Sequence, residues 1–173
     1  MRIRPAVVED AAALARVYVD SWRDAYAGLL PDMVLVGMSD VRQAAAWARE
    51  LQHESAGATL VAEDESGVFG LSTVGPARAA SKAFLEGGEI YRLYVEPGRQ
   101  NEGAGRALME ASFAWMARRG HGAAIVWVLD GNPARFFYEA LGGVRLGERP
   151  ERFGGADIRE IAYGWRDLRA AVR

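Results

Sequence analysis

The 173-residue chain has no cysteine. Disulfides, thiolate metal sites and a cysteine nucleophile are therefore excluded. Histidine is almost as scarce: only His53 and His121 occur, so no ligand set for a metal centre is expected. His121, between two glycines after a helical pattern, reads as a solvent-exposed loop residue. No stretch approaches the roughly 20 apolar residues needed to span a bilayer. Residues 1–10 are charged and lack the apolar core of a secretory leader. Together with the missing cysteine, this gives the expectation of a cytoplasmic protein with no membrane partner. An excess of one charge is also missing. The formal net charge is −2, so no global positive field favours nucleic acid. Lysine is nearly absent, with Lys82 alone among 21 basic residues; beside so much alanine and glycine, this reads as genome composition and not as a partner signal. No G-x-S-x-G elbow marks a serine nucleophile. No repeat, low-complexity tract or linker divides the chain, so one domain over 1–173 is expected.

What is present is ordinary globular composition, half hydrophobic and a quarter charged, on a length sufficient for a core. Residues 3–7 read as an edge strand interrupted by Pro5. Glu9 and Asp10 open a helix with an apolar stripe of Ala13, Leu14, Val17 and Tyr18, ending near Trp22 or Tyr26. Asp32 and Asp40 are candidate caps for two further helices, through Leu35 and Leu51. Strands at 59–63 and 68–74 flank a hairpin turn at 64–67, and 89–95 is a third strand. Residues 75–88 between them are expected to form a long mobile loop. A helix at 103–119 follows, then a continuous apolar strand at 123–129. Asn132 and Pro133 open another helix, and strands at 144–147 and 157–164 complete the order. Hairpins in the first half and strand–helix–strand crossovers in the second imply an α/β (mixed α+β) fold: a central mixed sheet of about seven strands with helices on both faces.

The most informative stretch is 90–108, IYRLYVEPGRQNEGAGRAL. An apolar strand ends at Val95. Pro97, Arg99 and Gln100 make a polar turn, and Gly103 and Gly105 lead directly into a helical pattern. Glycines let backbone N–H groups approach an anion closely, and a helix start adds unsatisfied N–H groups and the positive end of a dipole. The spacing differs from the dinucleotide G-x-G-x-x-G and lacks the Gly-Lys-Ser/Thr ending of a P-loop. From its residues alone the run is either an anion cradle or an ordinary strand-to-helix turn that needs glycines for steric reasons.

Val95-x-Pro97-x-Arg99-Gln100-x-x-Gly103-x-Gly105 resembles the acetyl-CoA signature of the GNAT superfamily of N-acetyltransferases. A second match, Asn132-Pro133-Ala134-Arg135-Phe136-Phe137-Tyr138-Glu139-x-Leu141-Gly142, follows at the family's spacing. The element order also fits, so the resemblance covers nearly the whole chain. It implies a single-domain fold with a splayed sheet and acetyl-CoA as cofactor. The acetyl group would pass to a primary amine, a small molecule or a peptide, by direct attack in a ternary complex. The family is often dimeric, which admits a homodimer.

The resemblance also implies a site. Backbone N–H groups of Gln100, Asn101, Glu102, Gly103, Ala104 and Gly105 hold the pyrophosphate, with Arg106 near the phosphates. Main-chain groups of Leu93 and Val95 pair with the pantetheine amides as an added strand would, on a strand that bulges and splays from its neighbour. An N–H near Leu93 or Tyr94 polarises the thioester carbonyl. Tyr138 matches the general acid that protonates the departing thiolate. Asn132 matches a cofactor-contacting asparagine, although its interval to Tyr138 is one residue shorter than in many relatives; a plain helix cap is its other reading. Glu89 matches a strand-start glutamate of some branches, including the histone-modifying one. It is the candidate base, directly or through a water, and a solvated strand-end carboxylate is its alternative. Strand alternation places it on one face with Tyr91, Leu93 and Val95. Glu86, on the loop, is a second candidate base.

Trp22, Tyr26 and Trp47 either line an acceptor pocket or belong to the core. Two rival readings remain: a non-catalytic acyl-CoA-binding module of the same fold, and a nucleotide-binding domain using the glycine run. The second lacks an acidic ribose partner at a Rossmann position. The acceptor itself has no readable code. Its pocket is expected to draw on the first helices, the 75–88 loop and the last hairpin.

Overall fold

Proline at the chain's first strand and glycines at its turns fix where the elements begin and end. The computed structural model describes residues 1–53 and 56–171. Strand β1 (Arg2–Pro5) leads through a short 3-10 turn into helix α1 (Ala11–Ala25). The buried Asp10 carboxylate accepts from the Val7 N–H and pairs with Arg4, tying the turn to the strand. Helices α2 (Asp32–Val36) and α3 (Asp40–Gln52) follow. Each starts one residue after its cap: the cap positions are Pro31 and Ser39, not the expected Asp32 and Asp40. The Ser39 hydroxyl accepts from the Arg42 N–H, so the two aspartates instead supply first-turn negative charge.

Strands β2 (Ala58–Asp64) and β3 (Gly67–Pro76) form a hairpin, with a short helix α4 (Ala79–Lys82) after it. Then come β4 (Gly88–Val95), α5 (Ala104–Arg118), β5 (Ala124–Leu129), α6 (Ala134–Ala140), β6 (Val144–Phe153), β7 (Ala156–Trp165) and α7 (Leu168–Ala171). The sheet order is β1-β2-β3-β4-β5-β7-β6. All neighbours are antiparallel except β4 and β5. The seven-stranded mixed sheet is the one expected.

Helix α5 covers one face. Its Met109, Phe113, Trp115 and Met116 join Ile90, Val126, Tyr163 and Trp165 in the largest apolar core. Helices α1 and α3 cover the other face over the first strands, with Leu14, Val17 and Trp47 against Val61 and Leu71. Trp47 therefore belongs to the core.

Two expectations are corrected. The β6–β7 hairpin extends to Phe153, well past the expected end at 147. Its outer strand is charged and carries Pro150, a composition that hides a strand from pattern reading but suits a sheet edge. The 75–88 segment is not a free loop. It contains α4, and its backbone is fixed by Ala77 N–H to Gly87 O and by the Tyr91 hydroxyl to Pro76 O.

Candidate active site

A strand and a helix start make the site, and a fork in the sheet opens it. β4 pairs with β3 along its whole length but with β5 only at Gly88–Ala124, Glu89–Ile125 and Ile90–Val126. From Tyr91 to Val95 the β4 edge facing β5 has no ladder partner. The pairing with β3 jumps from Thr73–Arg92 to Val74–Ile90, which leaves Tyr91 as the extra residue of a bulge. A bulge bends and twists its strand, and here it coincides with the point where the two strands part.

The bulge also shifts the alternation of side chains. Ile90 and Leu93, three residues apart, both pack on the α5 side, whereas Tyr94 packs among the α1 and α3 side chains. Glu89 lies on the face opposite Ile90. The expectation that Glu89 shares a face with Leu93 and Val95 is therefore corrected, because an extra residue between them reverses the phase.

Beyond Val95 the chain makes a 3-10 turn at Pro97–Arg99 and enters α5 through Gly103, whose φ is +87°. Asn101 is the one non-glycine residue with positive φ among the described residues, at +66°. The first helical bond runs from Ala107 N–H to Gly103 O, so the N–H groups of Ala104, Gly105 and Arg106 have no acceptor within the helix. A Cβ built at Gly103 meets nothing within 4 Å, whereas one at Gly105 lies 3.3 Å from the Phe137 ring. Gly103 thus serves the turn and leaves its outer side open; Gly105 lets α5 approach α6. Arg99 braces the turn from behind, paired with Asp64 and Glu102 and placed 3.9 Å over the Phe69 ring. Gln100 turns its amide towards the Val95 carbonyl, 3.5 Å away, and Asn101, Glu102 and Arg106 are exposed.

Tyr138 stands on α6 with its ring 5% exposed, against Phe137, Tyr163 and Trp165. Its hydroxyl has no hydrogen bond among the described residues. Burial holds its pKa well above the usual phenol value, and the nearby Tyr26 adds to the shift. Asn132, 6% exposed, accepts from the Ala134 N–H at 2.9 Å; the cap position itself is Pro133, so Asn132 holds the first helical N–H from one residue before the cap. The Tyr26 and Tyr94 hydroxyls are both held above the usual phenol pKa, chiefly by burial. Trp22 Nε1 donates to the Tyr94 hydroxyl at 3.0 Å. This hydrogen bond ties α1 to β4. Trp22 also packs 5.5 Å from Phe153 at the end of the last hairpin. Sequence reading left Trp22 and Tyr26 undecided between pocket and core. Both are half-buried at the C-terminal end of α1, unlike the buried Trp47.

Glu89 is not gathered into this group. It is fully buried at the closed end of the fork, where Arg78 and Ser81 donate to its carboxylate. It is thus not a solvated strand-end carboxylate. A cleft of about 360 Å³ borders the bulge on the α3 side, lined by Glu50, His53, Thr59, Thr73 and Tyr91. The Thr73 hydroxyl there is buried without a hydrogen-bond partner among the described residues. Among those residues no three His, Asp or Glu side chains are grouped to hold a metal, and no helix is long and apolar enough to cross a membrane.

The family model described as an acetyltransferase (GNAT) domain matches residues 55–142. The uncharacterized N-acetyltransferase YuaI of Bacillus subtilis (strain 168) is 34% identical over 169 residues, covering 97% of this chain and 94% of its own. Solved structures share the fold. A ribosomal-protein-alanine N-acetyltransferase from Brucella melitensis superposes with a TM-score of 0.74 at 22% identity, over 95% of this chain and 99% of the other. The PaiA N-acetyltransferase from Thermoplasma acidophilum, in complex with coenzyme A, gives 0.67 at 20% identity over 95% and 98%. The yncA protein of Salmonella typhimurium, solved with its cofactor acetyl-CoA, gives 0.68 at 22% identity over 97% and 94%.

Proposed function

Because the chain belongs to the GNAT superfamily of acetyltransferases, we propose that it moves the acetyl group of acetyl-CoA to a primary amine by direct attack in a ternary complex. Acetyl-CoA is its cofactor and supplies the acyl group as a thioester with a thiolate leaving group.

The observation that carries this reading is the fork. It offers an unpaired strand edge from Tyr91 to Val95 that ends at a helix start with free N–H groups. An amide-bearing arm fits such an edge as an added strand, and a pyrophosphate fits the helix start. The open outer side of Gly103 supports the same fit. The turn from Gln100 to Gly105 binds the phosphates with main-chain donors, and the exposed Arg106 contributes charge beside them. Main-chain groups of Leu93 and Val95 orient the arm, and an N–H near Leu93 or Tyr94 polarises the reacting carbonyl.

Tyr138 is the general acid. A phenol held above its usual pKa by burial keeps its proton at neutral pH, and its hydroxyl has no competing partner among the described residues. Asn132 holds the first N–H of α6, the helix that carries Tyr138. The attacking amine must lose a proton, and water is the base this geometry favours. Of the two carboxylate candidates, Glu89 has its oxygens engaged by four donor contacts and Glu86 is exposed on the segment before β4.

Titration calorimetry with acetyl-CoA, and CoA release across a panel of small amines, polyamines and peptides, test the reading. Binding together with release from at least one amine is expected. No binding of any acyl-CoA would end the proposal. Binding with no release across the panel would make the chain an acyl-CoA-binding module instead.

A further inference from the structure

We infer that Glu89 is a positioning residue: through Arg78, Ser81 and Trp127 it clamps the closed end of the β4–β5 fork and fixes the bulge that frees the β4 edge. This rests on the acetyl-transfer reading, in which that freed edge holds the cofactor's arm.

A buried carboxylate is tolerated only when it is paired and hydrogen-bonded. Glu89 is 0% exposed. Its Oε1 accepts from Arg78 Nε at 2.8 Å and from Arg78 Nη2; its Oε2 accepts from the Arg78 N–H at 2.9 Å and from Ser81 Oγ at 2.8 Å. A carboxylate has about four lone-pair sites, so none is left to take a substrate proton.

The same contacts reach across the fork. The Ser81 hydroxyl, while donating to Glu89, accepts from Trp127 Nε1 at 2.8 Å, and Trp127 belongs to β5. The network therefore joins both strands where their three-residue pairing ends. It also holds the bulged residue. The Arg78 guanidinium lies 5.1 Å over the Tyr91 ring, and the Tyr91 hydroxyl donates to Pro76 O at 2.6 Å. A shift of the free edge by about 1 Å can cost on the order of 100-fold in rate, so the clamp acts on catalysis without touching substrate.

Ser81→Ala and Trp127→Phe keep the Glu89 carboxylate but cut its link to β5. With acetyl-CoA and the best acceptor of the amine panel, each should lower kcat about tenfold. Acetyl-CoA affinity, set largely at the glycine turn, should change less. Glu89→Gln should fall at least as far, and all three should keep the low-pH limb of the native pH–rate profile. Native kcat in both Ser81→Ala and Trp127→Phe overturns the clamp, whether or not Glu89→Gln folds. So does loss of the low-pH limb in Glu89→Gln alone, which would make Glu89 the base. If the native protein binds no acetyl-CoA, the acetyl-transfer reading fails separately. Amide exchange of residues 91–95 then decides the clamp: faster exchange in Ser81→Ala supports it, and unchanged exchange overturns it.

Discussion

Tyr138 shows how much one side chain can be read in advance. Its motif marks it as the proposed general acid, and the fold gives it a ring packed among aromatics and a hydroxyl with no partner among the described residues. Tyr138→Phe should therefore lower kcat by about 10–100-fold, at or below the usual general-acid range because a thiolate leaves readily. It should leave the melting temperature and acetyl-CoA affinity unchanged, because no internal hydrogen bond is lost. Steady-state kinetics beside a thermal melt check both halves. Since burial raises its pKa above the ordinary phenol value of about 10, an alkaline limb below that pH belongs to another group. The helix start at Asn132 and Pro133 was legible for a local reason, although the cap falls on Pro133: a short polar side chain before it has its partner two residues on. The hydrogen bond from Trp22 to Tyr94 was not legible, because it joins residues far apart in sequence. Glu89 was misplaced for a third reason. Counting by twos holds only while the strand is regular, and one inserted residue at Tyr91 reverses it.

Among the elements, the turn into α5 depends on a single glycine conformation. Gly103 has a φ of +87°, in a region that side chains adopt only under strain. Gly103→Ala should cost about 1–2 kcal/mol of stability, and valine more. Both should weaken acetyl-CoA binding, since Cβ enters the open side where the phosphates are proposed to lie. Chemical denaturation with calorimetry separates the two effects. Unchanged affinity in Gly103→Ala would remove the phosphate role from this turn. Helix and strand cores were legible here because their apolar periodicity is local. The pinned 75–88 segment was not: its small and polar residues look mobile, and what orders them is a buried carboxylate and a tyrosine hydroxyl on β4. The long β6–β7 hairpin was missed because an edge strand can be charged and still pair.

For the molecule as a whole, ion pairs set the response to acid. Arg4 joins Asp10 and Glu63, and Arg99 joins Asp64, so β1, the first turn, β2 and the glycine turn share arginine–carboxylate ties. Each of these carboxylates is held below its usual pKa, chiefly by its arginine hydrogen bond. A lowered folded-state pKa gives stability that is present above the unfolded value and lost as pH falls through the folded one. The melting temperature should therefore drop steeply below about pH 4. Asp10→Asn should lower it at pH 7 and make that acid slope shallower, as melts across a pH series would show.

The sheet order has one more consequence. β1–β4 and β5–β7–β6 are two half-sheets whose ladder joins them over only three residue pairs. The molecule is, in effect, a zipper left partly undone. Under the proposed function, an amide-bearing arm in the opening would supply the missing tooth row. By mass action, a ligand at 100 times its Kd would add about 2.7 kcal/mol to global stability, drawn from backbone groups that the chain's own strands leave unmatched.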